Sequence, residues 1–451
     1  MARPTALSGF PEFLPAQSSV EQQVIDTLRH RFGLHGFARI ETRAVEPLEQ
    51  LSRKGDITKE VYVVRRLHAA EDDAADLGLH FDLTVPFARY VLENAGHLVF
   101  PFRRHQIQKA WRGERPQEGR YREFCQADID IVGQDTLAAH HDTEVVLVAL
   151  EALEALHTDL GVPPVLMRVS NRKLAQGFYT GLGISDPLAV IQRVDKLEKI
   201  GAAGVATQLR EELGLDDQQV EAVLAMAGIQ TEDTSFVEQV RALGVTNDLL
   251  DEGLAELASL LEVVSARFPG RIVADLRIAR GLDYYTGSVF ETELVGYESL
   301  GSISAGGRYD ALASDGKRTY PGVGLTIGVT RLLVPLLAKS ILSASRSVPS
   351  CVYVAVDDES TRSVAVEVAQ ALRARGIPCE VAHRADKFGR QIRNADRRGI
   401  PFVWFGGMAG EVKDIRSGEQ SGADATTWTP PDQDRWPNVT GPITTSAQET
   451  S

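Results

Sequence analysis

The densest chemistry in this chain lies in the segment FRRHQIQKAWRGERPQEGRYREFCQADIDIVG, residues 102–133. Residues 101–123 hold seven basic and three acidic side chains, in a protein whose net charge is −14. Both arms alternate in period two around a turn-rich middle, GERPQEG, which predicts a long antiparallel hairpin with a charged loop. Arg112 and Glu114 then fall on one face of a strand, two residues apart. Arg120 and Arg122 lie beyond the turn, and Phe124, Gln126, Asp128 and Asp130 share a face after them. Such a set suits a nucleotide. Guanidinium groups fork onto phosphate oxygens, a carboxylate accepts the adenine amino proton, and a ring stacks on the base. A surface hairpin laced with salt bridges would have the same spacing.

Three further segments carry candidate chemistry. In FDLTVPFARY (81–90), Asp82 and Thr84 point the same way from a strand that runs into a helix near Pro86. A carboxylate and a hydroxyl are what an ammonium group needs, although Asp82 could equally cap the helix. RIARGLDYYTGSVFE (277–291) reads as a strand with a glycine irregularity, and Tyr284 and Tyr285 lie on opposite faces. One of the two tyrosines could be core. Residues 383–399 hold six Lys or Arg against two acids on a helical pattern. A solvated face and a phosphate-backbone contact both fit; the second is preferred, and Lys387, Arg390, Arg393 and Arg397 would carry it. The three cysteines, Cys125, Cys351 and Cys379, form no CxxC, so neither a zinc site nor a disulfide framework is implied. Cys125 sits between Phe124 and Gln126 and by alternation faces away from them, which gives it a packing role.

Elements must hold these groups in place. A chain of 451 residues predicts two to four domains, and 43% hydrophobic with 24% charged residues excludes disordered and fibrous classes. No charged start followed by an apolar run marks a signal peptide, and no apolar stretch approaches the ~18 residues of a membrane span. A reducing cytoplasm fits the cysteine usage. Residues 18–35 predict a helix that buries Val20, Val24, Ile25, Leu28 and Phe32, with Ser18 or Ser19 as its cap. Residues 61–67 predict a strand and 142–157 an amphipathic helix. From 172 to 265 the pattern is almost wholly helical, and residues 201–260 hold twelve acids against Arg210 and Arg241. Strands return at 271–295 and 302–309, and PGVGLTIGVTRLL (321–333) opens a helix. A Ser-rich linker at 340–350 precedes alternating strands and helices of a small α/β domain.

The hairpin, with Arg112-Gly113-Glu114 at its loop, resembles motif 2 of the class II aminoacyl-tRNA synthetases. RYREFCQADIDIVG resembles the form found in histidyl-tRNA synthetases. RGLDYYTG (280–287) is similar to the histidine-specific motif of that family, SAGGRYDAL (304–312) to its second specific motif, and PGVGLTIGVTRLL to motif 3. GFPEFLPAQ (9–17) resembles the family's N-terminal motif, and residues 349–420 resemble an anticodon-binding domain. The resemblance covers essentially the whole chain. It departs at Arg43, where motif 1 usually has proline, and at Thr330, where motif 3 often has an acid.

What the resemblance implies is specific. The fold is an α+β catalytic domain with an antiparallel sheet, a helical insertion and a C-terminal α/β anticodon-binding domain. Residues 1–171 and 266–340 make the catalytic domain, 172–265 the insertion, 349–432 the anticodon domain and 433–451 a flexible tail. L-histidine and ATP give histidyl-adenylate, and the histidyl group passes to tRNA(His). Arg280 and Arg112 are catalytic, with Arg280 beside the α-phosphate. Asp82, Leu83, Thr84, Arg112, Gln126, Asp130, Arg280, Tyr284 and Tyr285 form the histidine site, with Asp130 accepting an imidazole N–H. Arg308 and Tyr309 lie beside the glycines of SAGGRYDAL, which let the backbone approach the substrate. Arg112, Glu114, Arg120, Phe124 and Arg331 bind ATP, and Mg2+ rides on its phosphates. The enzyme is a cytoplasmic homodimer with no membrane partner. Two other classes resemble this family: a regulatory subunit of ATP phosphoribosyltransferase, and RNA-sensing modules fused to kinases. The first lacks the C-terminal domain and the RGLDYY arginine; the second has lost the substrate residues. Neither loss occurs here.

Overall fold

A computed structural model describes residues 5–52, 60–68, 76–278, 285–311 and 313–441. Two compact units divide the chain. One runs over residues 25–159 and 163–335 with the stretch up to Pro11; the other joins residues 12–24 and 160–162 to everything from Leu336 onward.

The first unit is built on a nine-stranded sheet. Its order is Ala38–Arg39, Phe102–Trp111, Glu123–Val132, Gly322–Gly328, Ser304–Tyr309, Tyr285–Leu294, Val165–Asn171, Ile272–Asp275 and Gln230–Thr231. The central pairings are antiparallel, and only the joins of Ala38–Arg39 to Phe102–Trp111 and of Val165–Asn171 to Ile272–Asp275 are parallel. The expected hairpin is present, with Phe102–Trp111 and Glu123–Val132 paired along their whole length. Its strands stop at Trp111 and resume at Glu123, so Arg112 and Glu114 belong to the loop and not to a strand face. One more backbone bond crosses the hairpin, from Arg112 N–H to the Arg122 carbonyl at 2.9 Å, and Gly113 N–H then turns away to the Glu60 carbonyl at 2.7 Å.

Around this sheet several expectations change. The strand expected at 61–67 shrinks to Val63–Val64, which pairs with Leu77–Leu79 in a separate three-stranded sheet. Arg65 and Arg66 are exposed and gain nothing from pairing. The helix expected to start near Pro86 begins at Thr84 and runs to Asn94, so the proline sits in the first turn, where it removes no helical bond. Asp82 lies in the bend before it. Its carboxylate accepts the Val85 N–H at 3.1 Å although the cap position itself is Leu83, and Asp82 and Thr84 do not project from a strand.

The region from Arg172 to Arg267 holds six helices, as the pattern predicts. Its short strand Gln230–Thr231 extends the main sheet at one edge. The helix Pro15–Leu34 starts earlier than a cap at Ser18 or Ser19 would allow, with Pro15 at its first position. It buries Val20, Val24, Leu28 and Phe32 completely, while Ile25 is half-buried.

The second unit holds a five-stranded sheet in the order Cys379–Val381, Val352–Val354, Phe402–Phe405, Ala409–Asp414 and Gln420–Asp424. The first three strands are parallel and the last two add an antiparallel hairpin. Trp404, Val354, Val368 and Leu372 are fully buried at its centre. The segment expected to be a flexible tail carries structure as far as it is described. Asp432–Arg435 is a helical turn, Asp434 pairs with Arg416 at 2.7 Å, and Val439–Thr440 pairs with Ser343–Ala344. Its Pro, Thr and Ser content masked these local partners, which come from positions far back in the chain.

Candidate active site

One face of the sheet in the first unit forms the floor of a cleft of about 710 Å3. Arg112, Glu114, Arg120 and Phe124 reach it from the hairpin loop and the start of the returning strand. Gln126 follows on that strand; Asp82 and Thr84 come from the bend and helix start. Arg331 comes from the first turn of the helix Val329–Ala338, and Tyr285 from the strand Tyr285–Leu294. Residues far apart in sequence thus line one cavity. Arg280 and Tyr284 lie outside the described residues.

The geometry divides the cleft. At its outer part the Arg112 guanidinium carbon stands 5.1 Å from the Phe124 ring centroid, and its Nε–H donates to the Phe81 carbonyl at 3.0 Å. Arg120 approaches Glu114 at 3.3 Å, and the Glu114 carbonyl accepts from Arg122 Nε at 3.1 Å. Burial raises the Glu60 carboxyl from its usual range, and the neighbouring charge of Glu114 adds to that, against Arg112 and Arg120. Opposite, Arg331 donates to the Leu300 carbonyl. The Thr330 hydroxyl accepts the Cys125 N–H at 2.8 Å, which ties this helix to the hairpin strand where an acid could not be buried cheaply. Cys125 is buried and does not line the cleft.

At the inner part the face of Glu123–Val132 continues through Asp128 and Asp130 into a small chamber that shares Thr84, Tyr285, Ala305 and Thr326 with the cleft. The fully buried Arg104 places Nη2 2.6 Å from Asp130 Oδ2 and 3.6 Å from Asp128 Oδ2. The Tyr309 hydroxyl donates to Asp130 Oδ1 at 2.8 Å. Asp130 is thus contacted through both oxygens, each of which keeps a further lone pair. Room for its carboxylate exists because residue 324 is glycine: a Cβ there would stand 1.9 Å from Asp130 Oδ1. Gly307 is needed likewise, since its Cβ would come within 2.6 Å of the Ser288 carbonyl oxygen.

Two expected residues point elsewhere. Leu83 is fully buried and its side chain does not line the cleft. Arg308 turns to the opposite face from Tyr309, as strand alternation requires, and grips Asp142 at 2.7 Å and the carbonyls of Leu137 and Ala138 at 3.0 Å each. Lining residues unassigned from sequence include Tyr121, Asp195, Glu291 and Thr326. Parity along their strands could have found Glu291 and Thr326. Nothing local could have found Asp195, which comes from the helical region.

In the second unit the helix Phe388–Arg397 is anchored by buried Gln391 and Ala395. Gln391 clasps both backbone groups of Val356, at 2.8 and 3.1 Å. Lys387, Arg390, Arg393 and Arg397 are all exposed, and Arg390 lies 3.3 Å from Asp386.

Comparison with known proteins meets this geometry. The "Histidyl-tRNA synthetase" family model matches residues 9–332, and an "Anticodon binding domain" model matches residues 350–410. The histidine–tRNA ligase of Cutibacterium acnes is 63% identical over 98% of this chain and 100% of its own length. That of Micrococcus luteus is 60% identical over 97% and 99%. The crystal structure of a histidyl-tRNA synthetase from a Nostoc species superposes with a TM-score of 0.83 at 33% identity, covering 94% of this chain and 98% of that one. The family model spans every cleft residue named above, from Asp82 to Arg331, and the relatives match from end to end: the chain belongs to the histidyl-tRNA synthetase family.

Proposed function

We propose that this chain activates L-histidine with ATP and transfers the histidyl group to tRNA(His). The observation that carries this reading is one cleft with two kinds of chemistry. Guanidinium groups and a ring occupy its outer part; carboxylates, an amide and tyrosines occupy its inner part. Adenylate formation needs both, a nucleotide and an amino acid held so that a carboxylate meets the α-phosphate.

Phe124 stacks on adenine, with Arg112 already braced against its ring. Arg112 forks onto the α-phosphate and the attacking carboxylate. Arg120 and Arg331 compensate charge on the departing pyrophosphate. Asp82 and Thr84 receive the α-ammonium group, and Gln126, Asp130 and Tyr285 the rest of histidine. Arg280, from the motif RGLDYYTG, shares the α-phosphate with Arg112, and Tyr284 belongs to the amino-acid pocket. No group on the enzyme is consumed, so catalysis is positioning plus preorganised charge. Magnesium carried on ATP supplies further charge compensation, and Glu114 and Glu291 are the cleft carboxylates that would hold it; such an ion needs only one or two.

The ribose hydroxyl of tRNA then attacks the histidyl carbonyl, the bond from that carbonyl to the adenylate phosphate oxygen breaks, and AMP leaves. Lys387, Arg390, Arg393 and Arg397 bind the phosphate backbone of that tRNA. The active form is a homodimer working in the cytoplasm, which light scattering in solution would test; no described helix is long and apolar enough to cross a membrane. Histidine-dependent ATP–pyrophosphate exchange, followed by charging of purified tRNA(His), tests the assignment. Exchange driven by another amino acid, or by none, would overturn it.

A further inference from the structure

The segment GFPEFLPAQ, residues 9–17, contributes nothing to the lining of the cleft, yet its first residue touches the loop that does. Residues 7–10 make a turn, closed by the Phe10 N–H on the Leu7 carbonyl at 3.2 Å. Gly9 takes a φ of +84° in this turn, in the left-handed region. Its carbonyl then accepts two successive backbone donors of the hairpin, Arg122 N–H at 2.7 Å and Glu123 N–H at 3.1 Å. A Cβ on residue 9 would stand 2.8 Å from Pro116 Cγ and 2.9 Å from Arg122 Cγ, so the approach is open to glycine alone. Next to it the Phe10 ring meets Tyr62 edge-on, with centroids 6.2 Å apart. The Tyr62 carbonyl in turn accepts the Leu79 N–H at 2.8 Å, which ties the arm to the small three-stranded sheet.

The loop so braced is the outer wall of the cleft. Strand pairing ends at Trp111 and Glu123, so residues 112–122 depend for their order on local bonds and on what abuts them. Arg122 is held at three points: its N–H by Gly9, its carbonyl by the Arg112 N–H at 2.9 Å, and its Nε by the Glu114 carbonyl at 3.1 Å. Gln117 and Arg120 exchange both backbone bonds, at 3.1 and 2.9 Å, and close the turn at the tip. That tip reaches the far wall, where a Cβ on Gly119 would lie 3.7 Å from Arg331 and from the Leu300 carbonyl oxygen. Arg120 and Tyr121, which line the cleft, sit between this tip and the residue that Gly9 pins.

We infer that Gly9 is a positioning residue for the nucleotide half of the reaction: its carbonyl and its missing side chain fix the hairpin loop so that Arg120 stands ready over the phosphates of ATP. This rests on ATP being the nucleotide that the cleft takes. A loop ordered before ATP arrives leaves less conformational freedom to be lost on binding. Without the arm, ATP would have to order residues 112–122 itself, and its affinity would fall. The amino-acid end of the cleft, with Asp82, Thr84 and Gln126, takes no contact from Gly9.

Gly9→Ala tests this in histidine-dependent pyrophosphate exchange. The new methyl group strains the turn and pushes on Pro116 and Arg122. The KM for ATP should rise roughly ten- to a hundredfold, as for a lost hydrogen bond to a charged group, while the KM for histidine stays within about twofold. A purely structural role would move both together. Adding Gly9→Ala to Arg120→Ala should cost little beyond Arg120→Ala alone, because the first change acts through the second residue; independent packing effects would multiply. Phe10→Ala loosens the same arm from Tyr62 without introducing a clash. It should show the same split between the two KM values on a smaller scale, and it decides the question if Gly9→Ala does not fold. An unchanged KM for ATP in the folded variant, or losses from Gly9→Ala and Arg120→Ala that multiply, overturns the inference. A wild type with no histidine-dependent exchange would instead refute the proposed function.

Discussion

Replacing Arg112 with alanine separates what this side chain does for the fold from what it does for the reaction. In the free protein it makes one hydrogen bond to the Phe81 carbonyl at 3.0 Å, a cation–π contact with Phe124 at 5.1 Å and a long ion pair with Glu114 at 3.9 Å. Its side chain is 34% exposed, so these contacts are discounted for solvent. The hydrogen bond is worth about 1 kcal/mol, the ring contact about 0.5–1 kcal/mol and the ion pair almost nothing. Unfolding free energy should therefore fall by no more than ~2 kcal/mol. The proposed contact with the α-phosphate and the attacking carboxylate is separate and strengthens as charge redistributes. Losing one such donor costs ~3–4 kcal/mol, or ~10²–10³ in rate. Single-turnover adenylate formation should fall by that factor, with a smaller change in the KM for histidine. The KM for ATP should rise, because the Phe124 ring loses its brace. Arg112→Lys should recover only part, since an ammonium cannot donate to Phe81, lie over the ring and fork onto a phosphate at once. A folded Arg112→Ala enzyme with a near wild-type adenylation rate would refute the role.

Three more expectations follow from the same contacts. Asp142→Ala strands the buried Arg308 guanidinium, whose side chain is 8% exposed, and should lower unfolding free energy by ~3–5 kcal/mol in denaturant titration; a loss below ~1 kcal/mol would show that the pair is not needed. Asp128 holds a proton in the folded state up to about pH 7 that the unfolded chain releases in the ordinary carboxylate range, so the native state binds more protons between those limits. Stability should accordingly fall as pH rises across that window, and urea midpoints of Asp128→Asn should lack this component of the slope; an unaltered slope would contradict it. Replacing Lys387, Arg390, Arg393 and Arg397 together with alanine should weaken tRNA binding and flatten its dependence on salt by up to ~3 in the log–log slope, while leaving pyrophosphate exchange intact. Arg390, already near Asp386, should contribute least, and an unchanged salt slope would remove this helix from the interface.

The parts of the site legible in the sequence are those fixed by strand parity. Phe124, Gln126, Asp128 and Asp130 alternate on one strand, so one buried face puts them all on the same side. The hairpin itself was equally plain, since both arms alternate and a polar turn divides them. Parity stops informing where pairing stops. The spacing of Arg112 and Glu114 suits a strand, but strand pairing ends at Trp111 and a single further bond, Arg112 N–H to the Arg122 carbonyl, crosses the hairpin before the chain turns away. Position in chain gives no warning of contacts such as Tyr309 on Asp130, 179 residues apart, or of Asp195 entering the cleft from the helical region.

Glycines show how a correct pattern can carry an incomplete reason. In the run PGVGLTIGVTRLL, Gly328 sits tight against the turn that holds Arg331, its Cβ position 3.3 Å from the Arg331 Cβ. Gly324 has a different task that only pairing reveals. It lies opposite Asp130 in the antiparallel register, and the Asp130 carboxylate occupies the space its side chain would fill. Any larger residue would push that carboxylate off Arg104 and Tyr309 and into the chamber beside Asp128. Two uncompensated carboxylates would then share one buried site, and one of them would have to protonate. The absence of a side chain on one strand thus holds the Asp130 carboxylate of the next against Arg104 and Tyr309.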